Sequence, residues 1–156
     1  MATRFDRLSD ILSVRRGDII RKSDRSELFT GPSVGNTPQK GINWLGTPPD
    51  YLQVIVRCEK RSGYSDRWID ESDGMFLYYL MVTNRGKPSA SINYDSKENR
   101  ALLDQAEHGA PVLLMTDPGG NSSVLEIEGR FELVQTHHDN PIHPAPDSVI
   151  LRKTSD

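Results

Sequence analysis

Two tyrosines and two carboxylates have the types and spacing needed to recognise a flat ring that carries an amino group. Tyr64 and Asp66 stand in a Gly-Tyr turn, Tyr79 ends an aromatic run, and Asp70 lies between them. Two aromatic faces can sandwich a base that has left the duplex stack, and a carboxylate can accept a hydrogen bond from the amino group of cytosine. These residues predict a base-binding pocket in which a carboxylate, Asp66 or Asp70, reads the base edge.

A protein that extrudes a base also has to fill the gap that the base leaves and to hold the phosphates on either side. The loop after the aromatic run is polar and basic, so Asn84, Arg85 and Lys87 are predicted to enter the gap. Arginines beside the Gly-Tyr turn and a Gly-rich stretch upstream predict the phosphate contacts, because basic side chains and backbone N–H groups bind phosphate oxygens. These predicted contacts are Ser33, Gly35, Asn36, Arg57, Arg61 and Arg67.

The charge of the chain is unevenly distributed along the sequence. The formal net charge is −3, which by itself disfavours binding to phosphates. Residues 1–100, however, hold 16 Lys and Arg against 13 Asp and Glu, a balance of +3, whereas residues 101–156 hold 3 against 9, a balance of −6. One part of the surface can therefore be basic although the whole chain is acidic.

Length and composition predict one domain in a reducing, cytoplasmic compartment. A chain of 156 residues fits a single domain with its own core. Cys58 is the only cysteine, which excludes an internal disulfide and fits reducing conditions. It lies in an apolar run and is interpreted as a buried side chain. No apolar run approaches the roughly 20 residues that a membrane helix needs, and the N-terminus lacks the apolar segment of a signal peptide.

The elements that must position these residues form an α+β pattern. Apolar residues at helical spacing predict two helices, and β-branched or alternating stretches predict the strands. Gly and Pro residues predict a loop from Ser23 to Asp50, and polar residues predict another from Arg61 to Ser72. The predicted helices are 3–13 and Lys97–His108. The main predicted strands are 18–21, Tyr51–Cys58, 75–83, 111–115, 124–128, 131–134 and 148–153, with a bulge or tight turn at Gly129-Arg130.

The order of these parts resembles the core of SET-and-RING-associated (SRA, or YDG) domains. In that family a Gly-Tyr turn with an acid is followed by a loop that ends in Gly and by a tyrosine five residues after that Gly, here Gly74 and Tyr79. The other matching segments are Asn99-Arg100-Ala101-Leu102, Gly109-Ala110-Pro111-Val112 and Gly129-Arg130-Phe131, with a Gly-rich loop at 31–36 and a Gly41-Ile42 turn upstream. The resemblance covers about residues 28–135.

The resemblance implies a curled mixed or antiparallel sheet of the barrel-like PUA/SRA type with two short helices. It implies a DNA-binding domain rather than an enzyme, without a cofactor or metal, that flips 5-methyl- or 5-hydroxymethylcytosine out of double-stranded DNA. In bacteria such domains are commonly joined to nucleases in modification-dependent restriction, so a nuclease domain or subunit is an expected partner. Arg67 replaces the second Asp of the family pattern, so the resemblance implies Asp66 as the nearest match to the base-reading carboxylate and Asp70 as the fallback. Leu80-Met81 replaces the family's Thr-Gly, and these departures indicate a divergent member.

Two other binding functions are compatible with the sequence. A reader of phosphorothioate-modified DNA would need apolar walls around Tyr64, which Trp68 and Ile69 can supply. A small-ligand or protein-interaction module of the same fold would have no affinity for DNA. Retention on heparin with a steep salt dependence separates the DNA readers from such a module.

Two weaker motifs point to metal-dependent chemistry. Asp95-Ser96-Lys97 with Pro49-Asp50 upstream has the residue types of a nuclease site, but this spacing is only weakly diagnostic. The segment His137-His138-Asp139-Asn140, with His143, offers metal ligands at a spacing that fits no standard zinc motif. That segment is interpreted as a solvated tail.

Overall fold

The computed structural model describes residues 11–21, 41–58, 66–84, 87–117, 124–140 and 145–156. Several predicted site residues lie outside these ranges: Ser33, Gly35, Asn36, Arg61, Tyr64 and Arg85. The others lie within them: Arg57, Asp66, Arg67, Asp70, Tyr79, Asn84 and Lys87.

Ten strands and two helices follow one another in the described residues. The strands are β1 (Ile19–Arg21), β2 (Ile42–Thr47), β3 (Asp50–Cys58), β4 (Arg67–Asp70), β5 (Met75–Tyr79), β6 (Val82–Thr83), β7 (Ser91–Ile92), β8 (Val112–Thr116), β9 (Val124–His137) and β10 (Ser148–Ser155). The helices α1 (Lys97–Leu103) and α2 (Gln105–His108) lie between β7 and β8, and residues 11–13 are also helical. No helix in the described ranges is long and apolar enough to span a membrane.

Eight of these strands form one sheet. Seven follow the order β2-β3-β8-β9-β10-β5-β4, and β1 pairs with β9 beside this path. The β3–β8 pair is parallel and the other pairs of this sheet are antiparallel. The expected mixed sheet of an α+β fold is therefore confirmed, and within the described ranges it has two ends, β2 and β4, rather than closing into a barrel. The strands β6 and β7 pair separately from it.

Apolar side chains pack on both faces of the sheet. Val54 and Val56 belong to one buried cluster and Ile55, between them, to a second, because successive residues of a strand point to opposite faces. Leu102 of α1 packs into the first cluster, and Ile11 of the helical residues 11–13 packs into the second. Burial of each such side chain contributes about 1.5–3 kcal/mol, so both covering segments are held by the sheet.

Two segments that were predicted as loops are strands at the two ends of the sheet. In β2, Trp44 joins the first cluster and Leu45 the second, so an apolar run too short to show a period is buried on both sides. The loop prediction for this segment rested on the Gly and Pro residues around the run. In β4 only Trp68 packs against the core, so the strand has no apolar alternation that would identify it.

The helix predicted from Lys97 to His108 is interrupted at Asp104. Asp104 has φ −92° and ψ 9° and separates α1 from α2. Gly109, at φ 69°, ends α2 as predicted, because glycine adopts this left-handed conformation without a steric cost.

The two strands predicted around Gly129 are one continuous strand, β9. The pairing of β9 with β8 shifts at this point, from Leu114 opposite Gly129 to Met115 opposite Ile127. The bulge expected at this position is therefore confirmed. Gly129 has φ 130°, and a Cβ atom there would lie 2.7 Å from the backbone oxygen of Ser155, which explains the glycine.

Candidate nucleic-acid interface

The end of β5 separates two adjacent tyrosines onto opposite faces of the sheet. Tyr78 is 4% exposed, and its hydroxyl donates to the backbone oxygens of Gly41 and Arg57, each at 3.1 Å. Tyr79 is half-buried, and its hydroxyl donates to the carboxylate of Asp139. Tyr78 is thus a core residue, and Tyr79 is the tyrosine whose ring reaches the surface. The strand ends here, before the predicted end at Thr83.

Of the two candidate base readers, Asp66 lies beside Tyr79. Its Oδ1 accepts a hydrogen bond from the backbone N–H of Tyr79 at 2.7 Å. Asp70 stands opposite Met75, at the other end of β5, and its Oδ1 accepts a hydrogen bond from the Ser72 hydroxyl at 2.7 Å. This bond lowers the pKa of the Asp70 carboxyl. The structure therefore brings Asp66 and Tyr79 together and places Asp70 at the end of β4, beside the turn that leads to β5.

Asp139, which was predicted to lie in a solvated tail, is part of the same site. One of its carboxylate oxygens accepts the Tyr79 hydroxyl, and the other lies 3.1 Å from Nη2 of Arg67 in an ion pair. Nε2 of His137 is 3.9 Å from that second oxygen. The prediction of a solvated tail is therefore wrong for Asp139. Its contact with Tyr79 spans 60 sequence positions, so no local sequence pattern could indicate it.

A buried carboxylate fixes the backbone that carries Asp139. Asp147 is 1% exposed, and its two oxygens accept the backbone N–H groups of Asp139 at 2.8 Å and Asn140 at 2.7 Å. The Ser148 hydroxyl donates to it at 2.9 Å. Burial alone would raise the pKa of Asp147, but these hydrogen bonds outweigh it and lower the pKa. The carboxylate is therefore ionised at neutral pH and holds the backbone at Asp139 and Asn140 in place.

The predicted gap-filling residues lie on a hairpin outside the main sheet. The strands β6 and β7 pair through Val82 with Ile92, and the loop between them contains Asn84, Arg85 and Lys87. Asn84 and Lys87 are exposed, and the backbone N–H of Lys87 donates to the oxygen of Asn84 at 3.1 Å. Asn84 and Lys87 are thus exposed residues of the loop between β6 and β7, while Arg85 lies outside the described residues, and their entry into DNA stays a prediction.

Asn99 anchors the base of this hairpin. Its side chain is fully buried; its Oδ1 accepts the backbone N–H of Met81 at 2.8 Å. Its Nδ2 donates to the backbone oxygens of Met81 at 3.1 Å and Asn93 at 2.9 Å. Ser96 is the N-cap of α1, and its Oγ accepts the Asn99 backbone N–H at 3.2 Å. The Asn-Arg-Ala-Leu motif therefore ties α1 to both ends of the hairpin.

A hollow of about 430 Å³ adjoins Asp66, a volume within the range of small-ligand sites. Its apolar lining comes from Cys58, Trp68 and Phe76, and its polar lining includes Thr116. Trp68 packs edge-on against Phe76 with the ring centroids 5.2 Å apart. The hollow therefore combines this apolar surface with the carboxylates of Asp66, Glu71 and Asp117, which also line it.

Two of the predicted phosphate-binding residues are described. The Arg67 side chain is 50% exposed and lies in the ion pair with Asp139. Arg57 is half-buried on β3, where its backbone N–H donates to Gly41 at 2.8 Å. Arg67 lines the hollow and Arg57 directly precedes Cys58, another lining residue. The two arginines are therefore near the same hollow, although their strands, β4 and β3, lie towards opposite ends of the sheet.

The residues of the nuclease motif line a different part of the surface. Asp50, Asp95 and Lys97 share a groove of about 850 Å³, together with Arg100, which forms an ion pair with Asp104. In the described ranges no group of three or more His, Cys, Asp or Glu side chains is arranged to hold a metal ion. His143 lies outside these ranges.

Comparison with known proteins gives similarity in fold. No protein-family model matches the chain, and no curated protein matches it in sequence. Among solved structures, the SRA domain of SUVH5 in complex with fully methylated CG DNA gives a TM-score of 0.62 at 16% identity, over 92% of this chain and 91% of that one. The modification-dependent restriction endonuclease AspBHI gives 0.58 at 14% identity, over 99% of this chain and 82% of that one.

A third similar structure is the DNA recognition domain of the cytosine modification-dependent restriction endonuclease LpnPI. It gives a TM-score of 0.55 at 13% identity, over 98% of this chain and 78% of that one. At these identities the comparisons establish the fold. The chain has the fold of SRA domains and of the DNA recognition domains of modification-dependent restriction endonucleases, as the sequence motifs predicted.

Proposed function

We propose that this chain is a DNA-binding domain that recognises modified cytosine in duplex DNA by flipping the base into a pocket between Tyr64 and Tyr79. The observation that carries the proposal is the position of Tyr79, which leaves the core at the end of β5 and lies directly beside Asp66. That arrangement occurs within a fold shared with an SRA domain in complex with fully methylated CG DNA.

Asp66 is the proposed reader of the base edge. Its Oδ1 already accepts the Tyr79 backbone N–H, which fixes the carboxylate against the tyrosine, and a carboxylate oxygen can accept more than one hydrogen bond. The cytosine amino group is the complementary donor. Asp70 is the weaker candidate, since it is bonded within its own turn at the far end of β5.

The hairpin and the arginines complete the proposed interface. Asn84 and Lys87, with Arg85, would enter the duplex from the loop between β6 and β7. Arg57, Arg61, Arg67 and the backbone at Ser33, Gly35 and Asn36 would hold phosphates. To reach a phosphate, Arg67 would exchange its ion pair with Asp139. Because ion pairs of exposed side chains are worth about 0–1 kcal/mol, this exchange costs little.

The proposed biological setting is modification-dependent restriction in the bacterial cytoplasm, with a nuclease domain or subunit that acts on the bound DNA. The similarity to recognition domains of restriction endonucleases supports this setting. In it the chain reads the modification and the nuclease cleaves.

A competition assay on one duplex in four versions tests the proposal: unmodified, 5-methylcytosine, 5-hydroxymethylcytosine and phosphorothioate-linked. Preference for a modified cytosine is expected. Preference for the sulfur-linked duplex would instead favour the apolar hollow of Cys58, Trp68 and Phe76 as the binding site. Absence of binding to any version at low salt would contradict DNA recognition and favour a small-ligand or protein-interaction module.

Substitution of Tyr79 by alanine tests the pocket itself. Base stacking on an aromatic side chain contributes about 1–3 kcal/mol, so Tyr79→Ala is expected to weaken binding to the preferred duplex by roughly 5- to 150-fold. Weak, salt-sensitive binding to unmodified DNA should persist, because phosphate contacts supply it. Tyr51→Ala is the matched control, since Tyr51 is a half-buried tyrosine that lines the groove of Asp50, Asp95 and Lys97, of which Tyr79 is not a lining residue. Equal selectivity in both variants would contradict the proposed pocket.

A further inference from the structure

We infer that Asp139 is a positioning residue for the base pocket: it fixes the ring of Tyr79 and restrains Arg67 through its two carboxylate oxygens. The inference rests on the proposed function and adds a residue to it. The Tyr79 hydroxyl donates to Oδ2 of Asp139, and Nη2 of Arg67 lies 3.1 Å from Oδ1. One carboxylate thus connects the proposed stacking ring to a proposed phosphate ligand.

The ring needs such support because of its place in the fold. Tyr79 is the last residue of β5 and is only half-buried, so its ring lacks the packing that holds Tyr78 in the core. A tyrosine ring has two side-chain torsions, and stacking requires one orientation of the ring face. A hydrogen bond from the hydroxyl to a fixed acceptor removes this freedom before the base arrives, which reduces the cost of ordering on binding.

Asp139 is itself fixed, which is what makes it an effective support. Its backbone N–H is bound by the buried carboxylate of Asp147. The backbone oxygen of Asp147 accepts the N–H of Leu80 at 2.9 Å, and Leu80 directly follows Tyr79. Asp147 therefore holds Asp139 through its side chain and the residue after Tyr79 through its backbone oxygen, which fixes the acceptor and the tyrosine relative to each other.

The two bonds of Asp139 have opposite consequences for DNA binding. The bond to Tyr79 favours the base pocket. In contrast, the Asp139 carboxylate competes with phosphate for Arg67 and places a negative charge near the duplex. Removal of the carboxylate is therefore expected to reduce the preference for modified DNA without weakening the binding of unmodified DNA. A residue that only maintained the fold would weaken both.

The test measures dissociation constants for modified and unmodified duplexes in the parent protein and in Asp139→Ala, Tyr79→Phe and the double variant. A hydrogen bond to a charged group is worth about tenfold or more in an equilibrium constant. Asp139→Ala and Tyr79→Phe should therefore each reduce the preference by about tenfold. The double variant should show no further loss, because the two side chains act through one bond.

Two further variants separate geometry from charge and from folding. Asp139→Asn keeps an acceptor for the Tyr79 hydroxyl and should retain most of the preference. It also carries the test if the alanine variant does not fold. Glu107→Ala removes one negative charge from an exposed position on α2 and should leave the preference unchanged.

A measurement without DNA distinguishes failure of this inference from failure of the proposed function. With 3-fluorotyrosine at position 79, the ¹⁹F resonance of the free protein should shift in Asp139→Ala and not in Glu107→Ala. An unchanged resonance, or an equal loss of affinity for both duplexes, would overturn the role of Asp139 while the parent protein keeps its preference. A parent protein without any preference for modified DNA would overturn both the function and the role.

Discussion

Replacement of Asn99 by alanine is expected to lower the free energy of unfolding by about 3 kcal/mol. The fully buried side chain makes three hydrogen bonds to backbone groups, two to Met81 and one to Asn93. Each is worth about 1 kcal/mol net, and a buried partner left without a bond costs at least as much. Alanine is the better helix former, but by less than about 0.7 kcal/mol, so the lost bonds decide the sign.

Urea denaturation at neutral pH measures this change directly. Asn93→Ala is the matched control, because the Asn93 side chain is exposed and accepts one bond, from the backbone N–H of Asp95 at 3.0 Å. Its cost should stay below about 1 kcal/mol. Asn99→Asp keeps the acceptor for the Met81 N–H but turns an oxygen towards two carbonyl oxygens. It should therefore be at least as destabilising as alanine at neutral pH.

An Asn99→Ala variant that costs less than about 1 kcal/mol would refute the reasoning. Such a result would mean that the hairpin ends relax to new partners or to water, and that the hairpin is not anchored by Asn99. In that case the position of Asn84 and Lys87 would not depend on α1. The sequence motif Asn-Arg-Ala-Leu would then need an explanation other than this anchor.

Two further predictions concern stability. The pKa of Asp147 is lower in the folded protein than in the unfolded chain, so its stabilising contribution is complete above a pH of about 4 and is lost as the pH falls through the folded-state pKa. Urea unfolding from about pH 5 to pH 2 should therefore show less acid destabilisation in Asp147→Asn than in the parent protein. Identical pH profiles of the two proteins would contradict this. Gly74→Ala should lower the free energy of unfolding by more than about 1 kcal/mol, because Gly74 has φ 67° and a Cβ atom there would lie 2.7 Å from Cβ of Lys153. A thermal midpoint equal to that of the parent protein would show that this turn relaxes.

The sequence predicts the parts of the site that local patterns encode. The Gly-to-Tyr spacing of the resembling family favours Tyr79 over Tyr78 as the stacking residue. The structure places Tyr78 in the core and Tyr79 partly at the surface, since neighbouring residues of a strand face opposite sides. The polar stretch from Asn84 likewise predicts a loop, which the structure has between β6 and β7, whereas the strand β7 within that stretch was not predicted. In both cases the information lies within a few residues.

Contacts between distant segments were not predictable in this way. Asp139 meets Tyr79 only because β10 lies between β5 and β9 in the sheet. Its own neighbours, two histidines and an asparagine followed by proline, indicate a solvent-exposed tail. The strand β2 was missed for a related reason, since its burial depends on α1 and on residues 11–20 rather than on its own pattern. The role of a side chain whose partners come from distant parts of the sequence can be assigned only when the strand order of the sheet is known.

The formal charge of −3 illustrates the same dependence on structure. The acidic excess lies in residues 101–156, yet two of these carboxylates have structural roles. Asp147 is buried and hydrogen-bonded to backbone N–H groups, and Asp139 is paired with Arg67. Asp66, from the basic part of the chain, is bonded to the backbone of Tyr79. Negative charge at this edge of the sheet therefore shapes the proposed pocket, so the net charge of the chain is a weak argument against a DNA-binding surface.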